Sequence, residues 1–365
     1  MTIERAPRTV RIDWLDYARA LCAIAVVLFH YLSRIVTTGH MPPQGVGIIG
    51  LMAEYGYLGV DFFFMVSGFV IMMSVTDRSA SEFAAARIVR LYPAFLFCMT
   101  VTAIVLAINN DPALPSSFLM WVANLPIAAP VFGIPFMDGV YWTLLYELAF
   151  YGLVFAIILF GLRKHMETIV FLWLAAEVIA FAIGWDFILF TSYYLLFTAG
   201  CLLFFALDRG MTPLRIAALI ISLLLNVESA MERGAEIAIT GDLATLPWVI
   251  GLLIAGFFAA FVICSSWAPS LPAAKRVGSL TYPLYLVHQQ VGYVLIPALA
   301  VMIGFGPAVA IVAVGMAIFS ILVARYVEEW LRPLWKRLAA IAVIPVTVVE
   351  KGVARLRPSR DGQRV

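Results

Sequence analysis

The sequence predicts an all-α protein: a polytopic integral membrane bundle of about ten transmembrane helices with both termini cytoplasmic. Composition, the length of the apolar blocks and the placement of basic residues carry that expectation. Of 365 residues, 63% are hydrophobic and 13% charged, against roughly 45–50% and about 25% in soluble domains. A soluble fold of this size could not hide so much apolar surface, so a lipid bilayer must solvate it. The apolar blocks also approach the ~20 residues that cross ~30 Å of hydrocarbon. Spans are expected near residues 14–36, 58–75, 93–109, 140–160, 167–184, 187–207, 214–227, 246–264, 280–303 and 308–330.

Basic residues are retained on the cytoplasmic side of a membrane protein. With the N-terminus inside, the inner segments collect Arg5, Arg8, Arg11, Arg78, Arg87, Arg90, Arg163, Lys164, Arg209, Lys275 and Arg276, and the tail adds Arg332, Lys336, Arg337 and Lys351. The outer segments hold only Arg34 and Arg233, and the long outer loops 37–57, 110–139 and 228–245 are net acidic. An odd number of spans would put one basic group on the wrong side. The chain thus divides into a membrane domain over 1–335 and a basic cytoplasmic tail over 336–365. In the tail, residues 338–349 are apolar but too few to span, so an interfacial helix is expected. The apolar stretch after the basic N-terminus is too long for a signal-peptide core, so no cleavable leader is expected. The expected location is a plasma membrane, which in a bacterium is the inner membrane.

Cys22, Cys98, Cys201 and Cys264 lie in apolar blocks without metal-ligand spacing and read as core residues. A net charge of +2 gives no reason to expect a nucleic-acid partner, and no metal is required.

Ionisable residues inside spans are costly, and each marks a site or a buried pair. Arg19 and His30 sit eleven residues apart in the first span. At about 100° per residue that is three turns plus about 20°, so they share a face, separated by about 16 Å along the axis. Arg19, near the inner surface, suits a phosphate clamp, and His30, past the midplane, suits a base for a hydroxyl. Asp61 opens the second span at a similar depth, where a helix N-terminal acid is an equally good reading. Arg87 and Arg90 project from one face of an inner loop ahead of Pro93, with Tyr92 beside them, and suit a phosphorylated ligand. Glu147 lies about two turns inside the fourth span and needs a partner, for which His30 is a candidate by depth. Trp142 fits an interfacial aromatic belt. In the ninth span Tyr285 and His288 share a face. Arg325 with Glu328 or Glu329 reads as a structural ion pair, and His40 and His165 as ordinary loop residues.

The order of these motifs resembles the acyltransferase 3 family of integral membrane O-acyltransferases. The resemblance rests on Asp16-x-x-Arg19 followed by His30, Gly59-Val60-Asp61-Phe62-Phe63-Phe64 through Ser67-Gly68-Phe69, and Arg87-x-x-Arg90-x-x-Pro93. It continues with Trp142-Thr143-Leu144 through Glu147 to Phe150-Tyr151, and Ser279-x-x-Tyr282-x-x-Tyr285-x-x-His288. It implies a ten-helix fold that takes an acyl group, commonly acetyl, from cytoplasmic acyl-CoA (acetyl-CoA) to a sugar hydroxyl of a polysaccharide or glycolipid acceptor. The Trp-Thr-Leu-x-Tyr-Glu version of the fourth-span motif looks closer to exopolysaccharide-type members. Some members carry a fused extracytoplasmic domain that completes transfer; this sequence shows none, which leaves room for a separate extracytoplasmic acyl-transfer partner. On this resemblance Arg19, Arg87, Arg90 and Tyr92 would hold acyl-CoA. His30, with Glu147 and Asp61, would do the chemistry, and Trp142, Tyr285 and His288 would meet the acceptor. The competing reading is a glycolipid or polysaccharide-precursor transporter or flippase using the buried Arg, His and Glu as a proton relay. The lack of an inverted repeat weighs against it.

Overall fold

The computed structural model describes residues 12–45, 47–75, 78–185, 189, 191–237, 246–267 and 270–356. Arg5, Arg8 and Arg11, expected on the inner side, lie outside these residues, as do residues 238–245 of the third long outer loop and residues 357–365 of the tail.

Ten apolar helices form one bundle: α1 Asp13–Thr37, α2 Gly47–Ser74, α3 Ala80–Asn109, α4 Gly139–Leu159, α5 Leu162–Ala182, α6 Tyr194–Arg209, α7 Pro213–Ile237, α8 Pro247–Trp267, α9 Ala274–Ile303 and α10 Phe305–Trp330. Nine of them are long and apolar enough to cross a bilayer among the described residues. This is a multi-pass membrane protein. The exception is α6, whose 16 residues are buried on nearly every side. A helix apolar all round is one solvated by its neighbours rather than by water. It crosses α2 with the backbones in contact: a side chain at Gly68 would strike the Phe197 carbonyl, and one at Gly200 the Met65 carbonyl. Small residues are what allow such approach between membrane helices.

Three sequence expectations change. First, α3 begins at Ala80, fixed by a capping box in which Ser79 and Glu82 satisfy each other's backbone N–H groups. It then runs through Pro93, so Arg87 and Arg90 are helical rather than in a loop. Proline is tolerated inside a membrane helix because neighbouring helices satisfy the freed backbone groups. Second, the ion pair expected within α10 is absent among the described residues. Glu328 instead faces Arg90 at 3.7 Å, and Arg325 lies 5.7 Å from the Tyr326 ring. A π-helical stretch over Val323–Trp330 re-aims this segment. Third, the apolar part of the tail is not one helix but belongs to two, α11 Arg332–Ala342 and α12 Ile344–Leu356. Glu350 of α12 reaches the start of α3, accepting from Ala80 N–H at 2.8 Å and from the Ser81 hydroxyl at 2.8 Å. A carboxylate at a helix N-terminus is favoured by the exposed N–H groups and the dipole.

Candidate active site

One cavity of about 130 Å³ opens between α1, α2, α3, α4 and α9. At roughly 10–15 Å³ of such space per water, it holds several waters or the slim end of a chain. Arg19, Arg87 and Arg90 bring three guanidinium groups to its wall, and Glu147 is the single carboxylate among its described lining residues. Two aromatic faces steady the arginines: Arg87 lies 5.5 Å from the Tyr151 ring and Arg90 4.9 Å from that of Tyr282. The Arg87 Nε is buried and makes no hydrogen bond to a described residue. Such a wall can hold an anionic group, since guanidinium forks match phosphate oxygens. Tyr92, though adjacent to Arg90 in sequence, packs edge-on to Phe95 at 6.2 Å and is not among the lining residues.

Glu147 is not paired with His30. Its Oε1 accepts hydrogen bonds from the Ser67 hydroxyl at 3.0 Å and from the Tyr151 hydroxyl. Similar depth in the membrane placed Glu147 and His30 together in the sequence reading, but depth says nothing of azimuth. Asp61 likewise belongs to another group. It forms a buried ion pair with Arg233 of α7 at 2.6 Å, and Arg233 also stacks on Tyr193 at 4.7 Å and donates to Ser192 at 3.1 Å. This explains an arginine on the outer side, where basic residues are scarce.

The partner of His30 is His288, with the ring nitrogens 3.1 Å apart. Hydrogen-bond direction follows from the carbonyls around them. The Nδ1 of His288 lies 2.8 Å from the Tyr285 carbonyl, which can only accept, so that nitrogen carries the proton and Nε2 carries a lone pair. The Nδ1 of His30 lies 2.9 Å from the Val26 carbonyl and must also be protonated, sharing its N–H between that carbonyl and His288 Nε2. The free lone pair of the pair is thereby forced onto His30 Nε2. His30 is half-buried in a π-helical turn, Phe29–Arg34, a local widening common at functional sites. His288 is fully buried, its own carbonyl held by the Tyr31 hydroxyl at 2.9 Å.

Tyr285 joins the two halves of the site. It lines the cavity, its hydroxyl is 2.9 Å from that of Thr143, and its ring lies 5.7 Å from His288. His30 and His288 are not among the cavity's lining residues, so Tyr285 stands between the arginine-lined space and the histidines. Trp142 packs into an aromatic cluster with Phe64, Tyr146 and Tyr193, 4.7 Å from the last.

The profile of the acyltransferase domain family, acyltransferase 3, matches residues 12–344. The chain belongs to the acyltransferase 3 family. A relative, Acyltransferase MdmB of Streptomyces mycarofaciens, is 30% identical over 122 residues, which is 33% of this chain. The matched part is 30% of that protein's length, so the chain spans under a third of the relative it matches. No solved structure matches this acyltransferase 3 member. Sequence reasoning had placed His30 and His288 in separate roles. Two of the four histidines lie inside apolar spans, and a buried imidazole needs a hydrogen-bond partner; that was the available signal for pairing them.

Proposed function

We propose that this protein transfers an acyl group, most simply acetyl, from cytoplasmic acyl-CoA to a hydroxyl of an exported or cell-surface polysaccharide or its lipid-linked precursor. The observation that carries this reading is the succession of a three-arginine cavity, a tyrosine boundary and a histidine pair with one free lone pair. The basic residues put the arginine end on the cytoplasmic side, where acyl-CoA is found.

In this reading Arg19, Arg87 and Arg90 hold the phosphates of the donor, and Glu147 fixes the wall through Ser67 and Tyr151. Movement of Tyr285 away from Thr143 lets the thioester approach the histidines. His30 Nε2 takes the proton of the acceptor hydroxyl as its oxygen attacks the thioester carbonyl. The C–S bond then breaks, and the departing thiolate takes that proton back. His288 accepts from His30 Nδ1–H throughout, fixing the tautomer and supporting the transient imidazolium, the part a carboxylate plays in a triad.

The test is transfer of label from radiolabelled acetyl-CoA in membranes containing matched amounts of wild type or variant. His30→Ala should abolish transfer, whereas Arg87→Ala and Arg90→Ala should raise the KM for acetyl-CoA. Undiminished transfer by His30→Ala removes the base from this scheme. A change confined to acceptor KM in the arginine variants removes the donor site.

A further inference from the structure

His288 can support His30 only while its Nε2 stays within reach of His30 Nδ1–H, so whatever fixes the α9 backbone there bears on the chemistry. α9 carries Pro283 and Pro297, and each lacks the N–H of one helical hydrogen bond. The stretch between them, which holds His288, is braced from outside. The Leu286 carbonyl accepts from the Tyr141 hydroxyl at 3.2 Å, and the Gln290 backbone N–H donates to Asp138 Oδ2 at 3.2 Å. In an α-helix, Leu286 and Gln290 would be the two ends of one hydrogen bond. The opening of α4 therefore grips both ends of the turn whose middle residue is His288. Tyr31 holds the His288 carbonyl between them at 2.9 Å.

Helix capping alone does not account for Asp138. The residue is fully buried, and its Oδ1 accepts from Val140 N–H at 3.1 Å, which caps the start of α4. One oxygen suffices for a cap; the second is spent on another helix. Burying a carboxyl oxygen is costly unless a donor replaces water, and here that donor is the α9 backbone two residues past His288. The carboxyl group is itself delivered on a fixed segment. Asn124, also fully buried, accepts from Met137 N–H at 3.0 Å and donates to the Pro135 carbonyl at 3.1 Å, which holds the approach to Asp138. Tyr141 is equally enclosed, its ring edge-on to Phe95 at 5.1 Å.

We propose that Asp138 and Tyr141 are positioning residues of the transfer reaction: they clamp the α9 backbone on either side of His288 and hold its imidazole against His30. The kinetic consequence rests on the acyl-transfer reading, whereas the clamp itself is tested without it.

Protein labelled with ¹⁵N in its histidine rings would be compared in lipid nanodiscs by solid-state NMR, with the His288 signals assigned from His288→Leu. Asp138→Ala and Tyr141→Phe should move the His288 Nε2 signal toward that of an imidazole nitrogen accepting no hydrogen bond, and leave the His165 signals in place. Asp61→Leu, which breaks the buried pair with Arg233 instead, is the control and should leave His288 at its wild-type position. In acetyl transfer, kcat should fall about tenfold in Asp138→Ala and about threefold in Tyr141→Phe, less than for loss of His288 itself. The KM for acetyl-CoA should be unchanged in both. Wild-type His288 signals in both clamp variants overturn the proposal, as does an equal displacement in Asp61→Leu. Displaced His288 signals in the clamp variants of a protein whose wild type transfers no acetyl group strike the acyl-transfer reading and leave the clamp standing.

Discussion

Arg233→Met separates a structural from a chemical role for Asp61. The two side chains are 9% and 2% exposed and meet at 2.6 Å. At an effective dielectric of about 20, that distance corresponds to roughly 6 kcal/mol of attraction. Withdrawing the two ions from water costs several kcal/mol each, so the intact pair is close to neutral. Removing one partner leaves the other charge buried alone, at a cost of about 3–5 kcal/mol. Arg233→Met also loses the contact with Tyr193 and the hydrogen bond to Ser192. Both Arg233→Met and Asp61→Leu should therefore unfold at clearly lower temperature in nanodiscs, followed by tryptophan fluorescence. The double variant should recover most of that loss. Its rate of acyl transfer per folded molecule should stay near wild type, because Asp61 binds Arg233 and not His30. Two results would refute the reasoning. One is single variants no less stable than the double; the other is a double variant that regains stability but transfers as poorly as Asp61→Leu.

Further outcomes follow from other contacts. His288→Leu removes the acceptor from His30 Nδ1–H and should lower kcat about a hundredfold, within the range of general-base contributions, with the KM for acetyl-CoA unchanged; steady-state kinetics checks both. Thr143→Val removes the shorter of the two contacts of the Tyr285 hydroxyl, leaving only the Val140 carbonyl at 3.5 Å, and should raise acceptor-independent hydrolysis of acetyl-CoA, measured as free thiol release. Glu350→Ala should detach α12 from α3 and speed hydrogen exchange at the Ala80 and Ser81 amides. Burial alone would raise the Glu350 carboxyl, but hydrogen bonds from Ala80 and Ser81 outweigh it and hold its pKa below the ordinary value. The contact's contribution is thus complete above the usual glutamate range near ~4.3 and is lost as pH falls through the lower folded value. Protection of these amides, taken relative to the intrinsic exchange rate at each pH, should fall over that acidic window in wild type and be low throughout in Glu350→Ala.

Much of the bundle was legible because a membrane helix must satisfy its own backbone and face lipid, which writes long apolar blocks into the sequence. The extent of α3 was misjudged because Pro93 is read as a helix start by rules drawn from water-soluble proteins. At the site, residue types were legible but partnerships were not. Arg19, Arg87 and Arg90 do share one cavity with Glu147. Yet depth along a span cannot tell Ser67 and Tyr151 from His30 as partners of Glu147, nor Arg233 from His30 as partner of Asp61. Azimuth decides these, and it depends on helix packing and on the π turn at Phe29–Arg34. His40 was read as an ordinary loop residue and Tyr293 was not singled out, yet their rings lie 4.7 Å apart.

The short helix at the centre of the bundle has a further consequence. Sixteen residues of α6 rise about 24 Å, against ~30 Å of hydrocarbon. Its C-terminal Arg209 is tied to Glu167 at 2.7 Å on the side of the basic loops, so the shortfall falls at the other end, beside Ser192 and Arg233. The start of α6 therefore lies several ångströms short of the hydrocarbon boundary on that side. Backbone at that depth is tolerated where it lines a watery recess, and a hydrated acceptor entering it would have several ångströms less of membrane to descend.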